Sequence, residues 1–450
     1  MYKHLTLLIF STLFFLYGCG GGGSSDSNNT IPATLYEAVN STEKFFSVNY
    51  PKSCTQTESN RFVYEVMHDS YLFAAETPII DYTTFEDTAS LLDALRTSQD
   101  RYSFTADAQT TINQLQEGKN KNFGFHLFAA ASEEASHYYL IVSHVYPGSP
   151  ADRVGIQRGD IIEKINDLWI YDIQEASAML SNEDTLTFQI DNQAVELTKA
   201  EYDIHTVLYS NILSYENKKV GYLLFQTFIS QAKEELNEHF AAFRRAGVEE
   251  LVLDLRYNRG GLTSVANHLA TLIGGSNLYG KVFESVQFND KYSTYNTIEH
   301  FAAYHADALN LKRVFVITTG MTASSSELVI NGLRASANNM EVIQIGSTTY
   351  GKPYGFYPTF FCDTALFAVN VESTNSDGTG DYTDGITPTC PADDNLFKAF
   401  GDTTEPSLQE ALYYISQGRC STIQTANKMA TKPVFYPLPS HGVQNIIPGY

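Results

Sequence analysis

The residues of this chain best suited to covalent chemistry are the serines of Thr322-Ala323-Ser324-Ser325-Ser326-Glu327 and, downstream, the lysine of Gly351-Lys352. The serine cluster follows a strand-like run, Val314-Phe315-Val316-Ile317, and opens an apolar, helix-length segment, Leu328 to Leu333. A serine at a helix start sits beside unpaired N–H groups and the positive end of the helix dipole, which suits a developing oxyanion. The lysine stands among Tyr350, Pro353, Tyr354 and Phe356. Loss of hydration there would lower its pKa and leave an amine able to act as a base. The same residues also fit a plain Ser/Thr cap on a core helix with a solvated lysine in the next loop.

Two other segments bear on this pair. Asp254-Leu255-Arg256-Tyr257-Asn258-Arg259-Gly260-Gly261 is a strand exit ending in paired glycines, which let backbone amides approach a ligand closely. Asp384-Gly385-Ile386-Thr387-Pro388 follows a strand-rich stretch. A histidine-based triad finds no support. The 11 histidines are scattered, no Gly-x-Ser-x-Gly elbow surrounds Ser324, and His239 and His268 fall on expected helices as surface or packing residues.

The elements that must hold these residues alternate. Val220–Phe225 reads as a strand and Ser230–Arg245 as a helix, with Ser230 as its cap and Gly247 as its stop. Strands at 251–256, 313–319 and 342–345 and a helix at 264–273 follow, so residues 204–450 predict an α/β core on a largely parallel sheet. Upstream, residues 35–118 carry helical spacing in Phe62–Met67 and Leu91–Leu95, a small helical unit. Residues 119–203 change to short strands.

At 450 residues the chain holds two or three domains, and 43% hydrophobic with 18% charged residues describes a globular protein. A net charge of −22 without a Lys/Arg block argues against nucleic acid and anionic lipid as partners. Residues 1–19 read as a targeting segment, with Lys3 and His4 before an apolar run from Leu5 to Tyr17. Its end, Leu16-Tyr17-Gly18-Cys19, resembles the lipobox of bacterial lipoproteins, which implies a lipid on Cys19. Residues 20–34 are a flexible Gly/Ser/Asn-rich linker. That resemblance implies a cell-envelope location, at the outer membrane facing the periplasm or at the cell surface. The remaining Cys54, Cys362, Cys390 and Cys420 suggest two disulfides, with Cys362–Cys390 and Cys54–Cys420 preferred among three pairings. No Cys-x-x-Cys or His-Glu-x-x-His spacing is present, so neither metal nor cofactor is expected.

Residues 119–203 resemble a PDZ domain through Pro147-Gly148-Ser149-Pro150-Ala151, Gly155-Ile156, Gly159-Asp160-Ile161 and Ile165-Asn166. The resemblance implies peptide binding by strand addition beside a carboxylate-binding loop at Phe123, Gly124 and Phe125. From Phe62 to Cys390 the order of units and motifs resembles the C-terminal processing, or tail-specific, serine peptidases. That family combines a helical N-terminal part, a PDZ domain and a ClpP/crotonase-like α/β core with D-x-R-x-N-x-G-G, [ST]-A-S-x-S-E, G-K and G-x-x-P motifs. The resemblance implies Ser324 as nucleophile, Lys352 as general base, and an oxyanion hole from the Ser325 N–H with that of Gly260 or Gly261. Ser325 and Ser326 are rivals to Ser324 in register, Ser326 having capping of the helix as its alternative role, and Asp254 and Arg256 would fix the strand end. It further implies an endopeptidase acting on exported or unfolded polypeptides, the PDZ unit holding their C-terminal segments. The competing expectation is a catalytically silent, peptide-binding envelope lipoprotein with the same fold. Two departures stand out: added length at Ala335–Met340, and Phe356 where members often carry a lysine-orienting glutamine.

Overall fold

The computed structural model describes residues 46–132, 136–302, 305–422 and 435–439. The targeting segment, Cys19 and the whole of the 20–34 linker therefore lie outside the described residues.

Apolar runs in the C-terminal half have no polar alternation because both faces of their sheet are covered. The sheet has six strands, in the order Val207–Tyr215, Lys218–Phe225, Glu250–Asp254, Arg313–Thr318, Glu341–Gly346 and Cys390–Pro391. The first pair is antiparallel and the others are parallel. Successive side chains go to opposite faces. Leu251, Leu253, Val314 and Val316 meet helices Ala232–Ala246, Thr263–Gly274 and Ser325–Arg334. Val252, Phe315, Ile317, Ile343 and Ile345 meet Leu408, Leu412 and Ile415 of helix Pro406–Gln417. The expected α/β core is present, and Gly247 ends helix Ala232–Ala246 at φ 72°. Ser230 does not cap that helix. Gln231 precedes the first turn, and the Ser230 hydroxyl donates instead to the Leu115 carbonyl at 3.4 Å.

The small unit at 46–118 is not purely helical. Helices Gln56–Asp69 and Thr88–Leu95 bury Phe62, Val66, Leu91 and Leu95 against Phe361, Leu366 and Val369 of the C-terminal part. Strand Phe104–Asp107 then pairs antiparallel with Thr364–Phe367. Its alternation is weak because three of its four residues are only half-buried.

The disulfides join Cys54 to Cys362 and Cys390 to Cys420, with Cα–Cα distances of 5.6 and 5.5 Å. This corrects the preferred pairing. Cys362 faces the N-terminal unit, whereas Cys390, on the last sheet strand, faces the end of helix Pro406–Gln417. Spacing along the chain could not reveal which of these surfaces meet. Two such bridges fit an oxidising, extracytoplasmic compartment.

The PDZ-like unit is an antiparallel sheet of Phe125–Ala131, Tyr138–Val145, Ile161–Ile165, Thr185–Ile190 and Gln193–Thr198, with helix Ile173–Asn182 packed on it. A further strand, Phe435–Pro437, joins the free edge of Phe125–Ala131.

Candidate active site

Strand Arg313–Thr318 delivers the chain to Ser324, the residue just before helix Ser325–Arg334. Ser324 has φ 56° and ψ −119°, a conformation that L residues rarely adopt and that neighbouring structure must impose. The imposing neighbour is the double-glycine loop. A side chain at Gly260 would place its Cβ 2.8 Å from the Ser324 Cβ and 2.9 Å from the Ser325 nitrogen. Only glycine permits this approach, and Gly260 itself sits at φ 102°.

The three serines separate by partner. The Ser325 hydroxyl donates to the Gly261 carbonyl at 2.7 Å and the Ser326 hydroxyl to the Asn258 carbonyl at 3.0 Å. Both fasten the helix start to the glycine loop, so Ser326 ties loops together rather than capping. Ser324 takes no part in these loop bonds and lines a cavity of about 300 Å³.

Lys352 lines the same cavity. Its Nζ lies 3.7 Å from the centroid of the Phe356 ring, so the residue at the glutamine position forms an apolar wall. Burial lowers the lysine pKa to about 7, partly opposed by the Glu327 carboxylate and assisted by Arg259. A cation over a ring gains about 2 kcal/mol or somewhat more when desolvated. A shift from 10.5 to about 7 corresponds to roughly 5 kcal/mol, so desolvation wins and much of the amine is neutral at pH 7.

Glu327 connects the two residues, a part that sequence reasoning missed. Fully buried, its carboxylate accepts from the Ser324 N–H at 2.9 Å, the Gly351 N–H at 2.7 Å and the Lys352 N–H at 2.8 Å. Thr349 adds its hydroxyl. Glu327 falls at the third helical position, and glutamate there is the mark of a capping box. That signal was available, but it points to the helix start and says nothing of the distant lysine loop.

The lysine loop is braced from outside the core as well. The Tyr102 hydroxyl donates to the Gly351 carbonyl at 2.5 Å, and Arg101 donates to the Tyr350 and Thr383 carbonyls at 2.7 and 2.9 Å. Gly351, at φ 86°, would place a Cβ 2.3 Å from the Thr383 oxygen. The Asp384–Pro388 segment contributes through Ile386, whose N–H donates to the Thr349 hydroxyl at 2.7 Å.

Not every expected backbone donor is open. The Gly260 N–H donates to the Asn258 side chain at 2.8 Å. Arg256, fully buried, pairs with Asp254, Asp394 and Glu405 at 2.7, 2.7 and 3.1 Å. From the PDZ-like unit, Arg158 reaches Asp394 at 2.8 Å and the Tyr257 hydroxyl at 2.7 Å. In the PDZ loop, Phe123 and Phe125 turn their rings into the domain core, each 5.4 Å from Phe188. The Gly124 and Phe123 carbonyls there accept from the Tyr146 and Ala151 N–H groups at 2.8 and 2.9 Å.

Fold and site together define a multidomain α/β protein with a PDZ unit and a serine–lysine pair at a helix start. The chain matches the model of peptidase family S41 over residues 219–392, the peptidase S41 N-terminal domain over 58–104 and a PDZ domain over 141–201. It belongs to peptidase family S41. A carboxyl-terminal-processing protease of Picosynechococcus sp. is 26% identical over 288 residues, covering 60% of this chain and 65% of the relative. The chloroplastic carboxyl-terminal-processing peptidase 2 of Arabidopsis thaliana is 27% identical over 229 residues, covering 47% of this chain and 42% of the relative. The chain thus spans less than two thirds of the length of these relatives. A crystal structure from Bacteroides fragilis, named for the S41 proteases, is 27% identical with a TM-score of 0.65, covering 79% of this chain and 96% of that one.

Proposed function

We propose that the protein is a serine endopeptidase working through a dyad of Ser324 and Lys352. The observation that carries this reading is Glu327, which binds the backbone of both residues and so fixes them on one cavity. Neutral Lys352 takes the Ser324 proton as the hydroxyl oxygen attacks a peptide carbonyl. The Ser325 N–H at the helix start and the Gly261 N–H stabilise the oxyanion, since Gly260 has already committed its own. The tetrahedral intermediate collapses as Lys352 gives its proton to the departing amine. Water then attacks the acyl-serine, with the same amine as base, and regenerates the hydroxyl.

Substrates are exported or unfolded polypeptides presented in extended form, with the PDZ unit assisting at their C-terminal segments. Cys19 carries the lipid that holds the enzyme in the envelope, at the outer membrane or cell surface. Casein digestion tests the dyad. Wild type cleaves, and Ser324→Ala and Lys352→Ala each lose more than 100-fold in rate. Equal cleavage by all three would end the assignment.

A further inference from the structure

A strand from the far end of the chain lies where a PDZ unit takes its peptide. Phe435, Tyr436 and Pro437 pair antiparallel with Ala130, Ala129 and Phe128. The segment therefore adds to the free edge of Phe125–Ala131 and runs toward the Phe123-Gly124-Phe125 loop. Pro437 has no N–H to offer the ladder, and an outermost strand tolerates that. Beyond the pairing, Leu438 is 6% exposed and packs into the PDZ core. The Ser177 hydroxyl, from helix Ile173–Asn182, donates to the Pro439 carbonyl at 3.0 Å. Strand on one side and helix on the other enclose the segment as they would a bound peptide. At its other end Phe435 pairs with Ala130 and packs against the apolar cluster that also holds Tyr257, Met321 and Leu396. Met321 stands three residues before Ser324, so the segment runs from the peptide groove to an apolar cluster that the nucleophile loop also enters.

We infer that residues 435–439 are the resident ligand of this PDZ groove, an internal segment bound in cis that substrate peptides must displace. Two features fit an internal occupant better than a chain terminus. The chain continues past Pro439, and the Gly124 N–H, in the loop that would take a carboxylate, donates to the Asn122 side chain at 2.8 Å. A tethered segment competes at an effective concentration on the order of millimolar, so free peptides of ordinary affinity are held off until it leaves. The occupant also states the groove's preference: an extended segment with aromatic residues two and three positions before an apolar side chain that enters the core. This inference rests on the strand pairing and is independent of the dyad.

The test uses the full chain and a fluorescein-labelled synthetic peptide of residues 433–442, followed by anisotropy. Leu438→Asp in the protein removes the anchor of the resident segment, and the peptide then binds at least tenfold tighter than to wild type. A peptide carrying the same substitution binds neither protein. As a second arm, Ala129→Cys with Tyr436→Cys forms an intramolecular disulfide at this register. Closing it lowers peptide affinity at least tenfold, and reduction restores it. Equal binding by wild type and Leu438→Asp, absence of peptide binding to both, no cross-link, or a cross-link joining two copies would each overturn the inference.

Discussion

In the proposed dyad Lys352 can act as a base only while it is uncharged, and its surroundings decide when that is. Phe356 and the packed loop exclude water, which lowers its pKa to about 7 from the usual 10.5. The proton therefore leaves the folded protein at a lower pH than it leaves the unfolded chain. Activity follows the neutral amine: kcat/KM rises through pH 7 and levels off by about pH 9. A pH profile of peptide hydrolysis checks this, and a rate independent of pH from 6 to 9 would contradict it. The same shift has a cost for folding. Between about pH 7 and 10.5 the unfolded chain binds more protons, so this lysine's contribution to stability improves as pH rises across that window. Glu327 makes a different prediction. Removing its carboxylate by Glu327→Ala orphans three buried or half-buried N–H groups, those of Ser324, Gly351 and Lys352. Each unsatisfied group costs about 1–3 kcal/mol, and misplacing the dyad by about 1 Å costs about 100-fold in rate. Steady-state kinetics of that variant therefore show a fall in kcat with KM little changed, together with a lower denaturation midpoint.

Among the elements, the ones legible in the sequence were those whose burial is set locally. Leu251–Leu253, Val314–Ile317 and Val342–Ile345 are apolar without alternation because helices cover both faces, and that pattern alone marks central parallel strands. Gly247 likewise stopped its helix as its residue type requires. What the sequence left open depends on surfaces that meet only after folding. The pairing of Cys54 with Cys362 follows from helix Gln56–Asp69 packing on Phe361, and no spacing records that contact. The weakly patterned Phe104–Asp107 becomes a strand only because Thr364–Phe367 offers it an edge. Glu327 shows the same gap at the site, since a capping glutamate gives no sign that its second oxygen serves another loop. The Cys54–Cys362 bridge carries a functional prediction. Arg101 and Tyr102, in the unit it fastens, hold the carbonyls around Gly351. Replacing both cysteines with serine should lower stability by about 2–4 kcal/mol, seen as a lower Tm in calorimetry, and reduce activity along with it in casein digestion. Unchanged activity at a lowered Tm would show that the brace is dispensable.

Across the whole molecule, a buried ionic cluster ties the PDZ unit to the peptidase core. Arg158 reaches from one to Asp394 in the other, where Arg256, Asp254 and Glu405 complete the charges. Burial of these groups is tolerable because each charge has a partner, and removing one leaves the others uncompensated. Arg158→Ala should cost about 3 kcal/mol in denaturant unfolding and loosen the PDZ unit from the core, while a change below about 0.5 kcal/mol would show that apolar contacts alone hold the two together. Three parts of the chain thus converge on the dyad: the N-terminal unit at Gly351, the core through Glu327, and the PDZ unit through the loop that follows Asp254. The proposed chemistry rests on the Ser324 Oγ forming the bond to the acyl carbon and on Lys352 taking its proton. The most direct measurement is covalent labelling of the intact protein with a serine-reactive fluorophosphonate at pH 8, followed by peptide mapping. The account predicts one adduct per chain, on Ser324, formed at least 100-fold more slowly in Lys352→Ala. Label on Ser325 or Ser326, or equal labelling rates with and without the lysine, would contradict it.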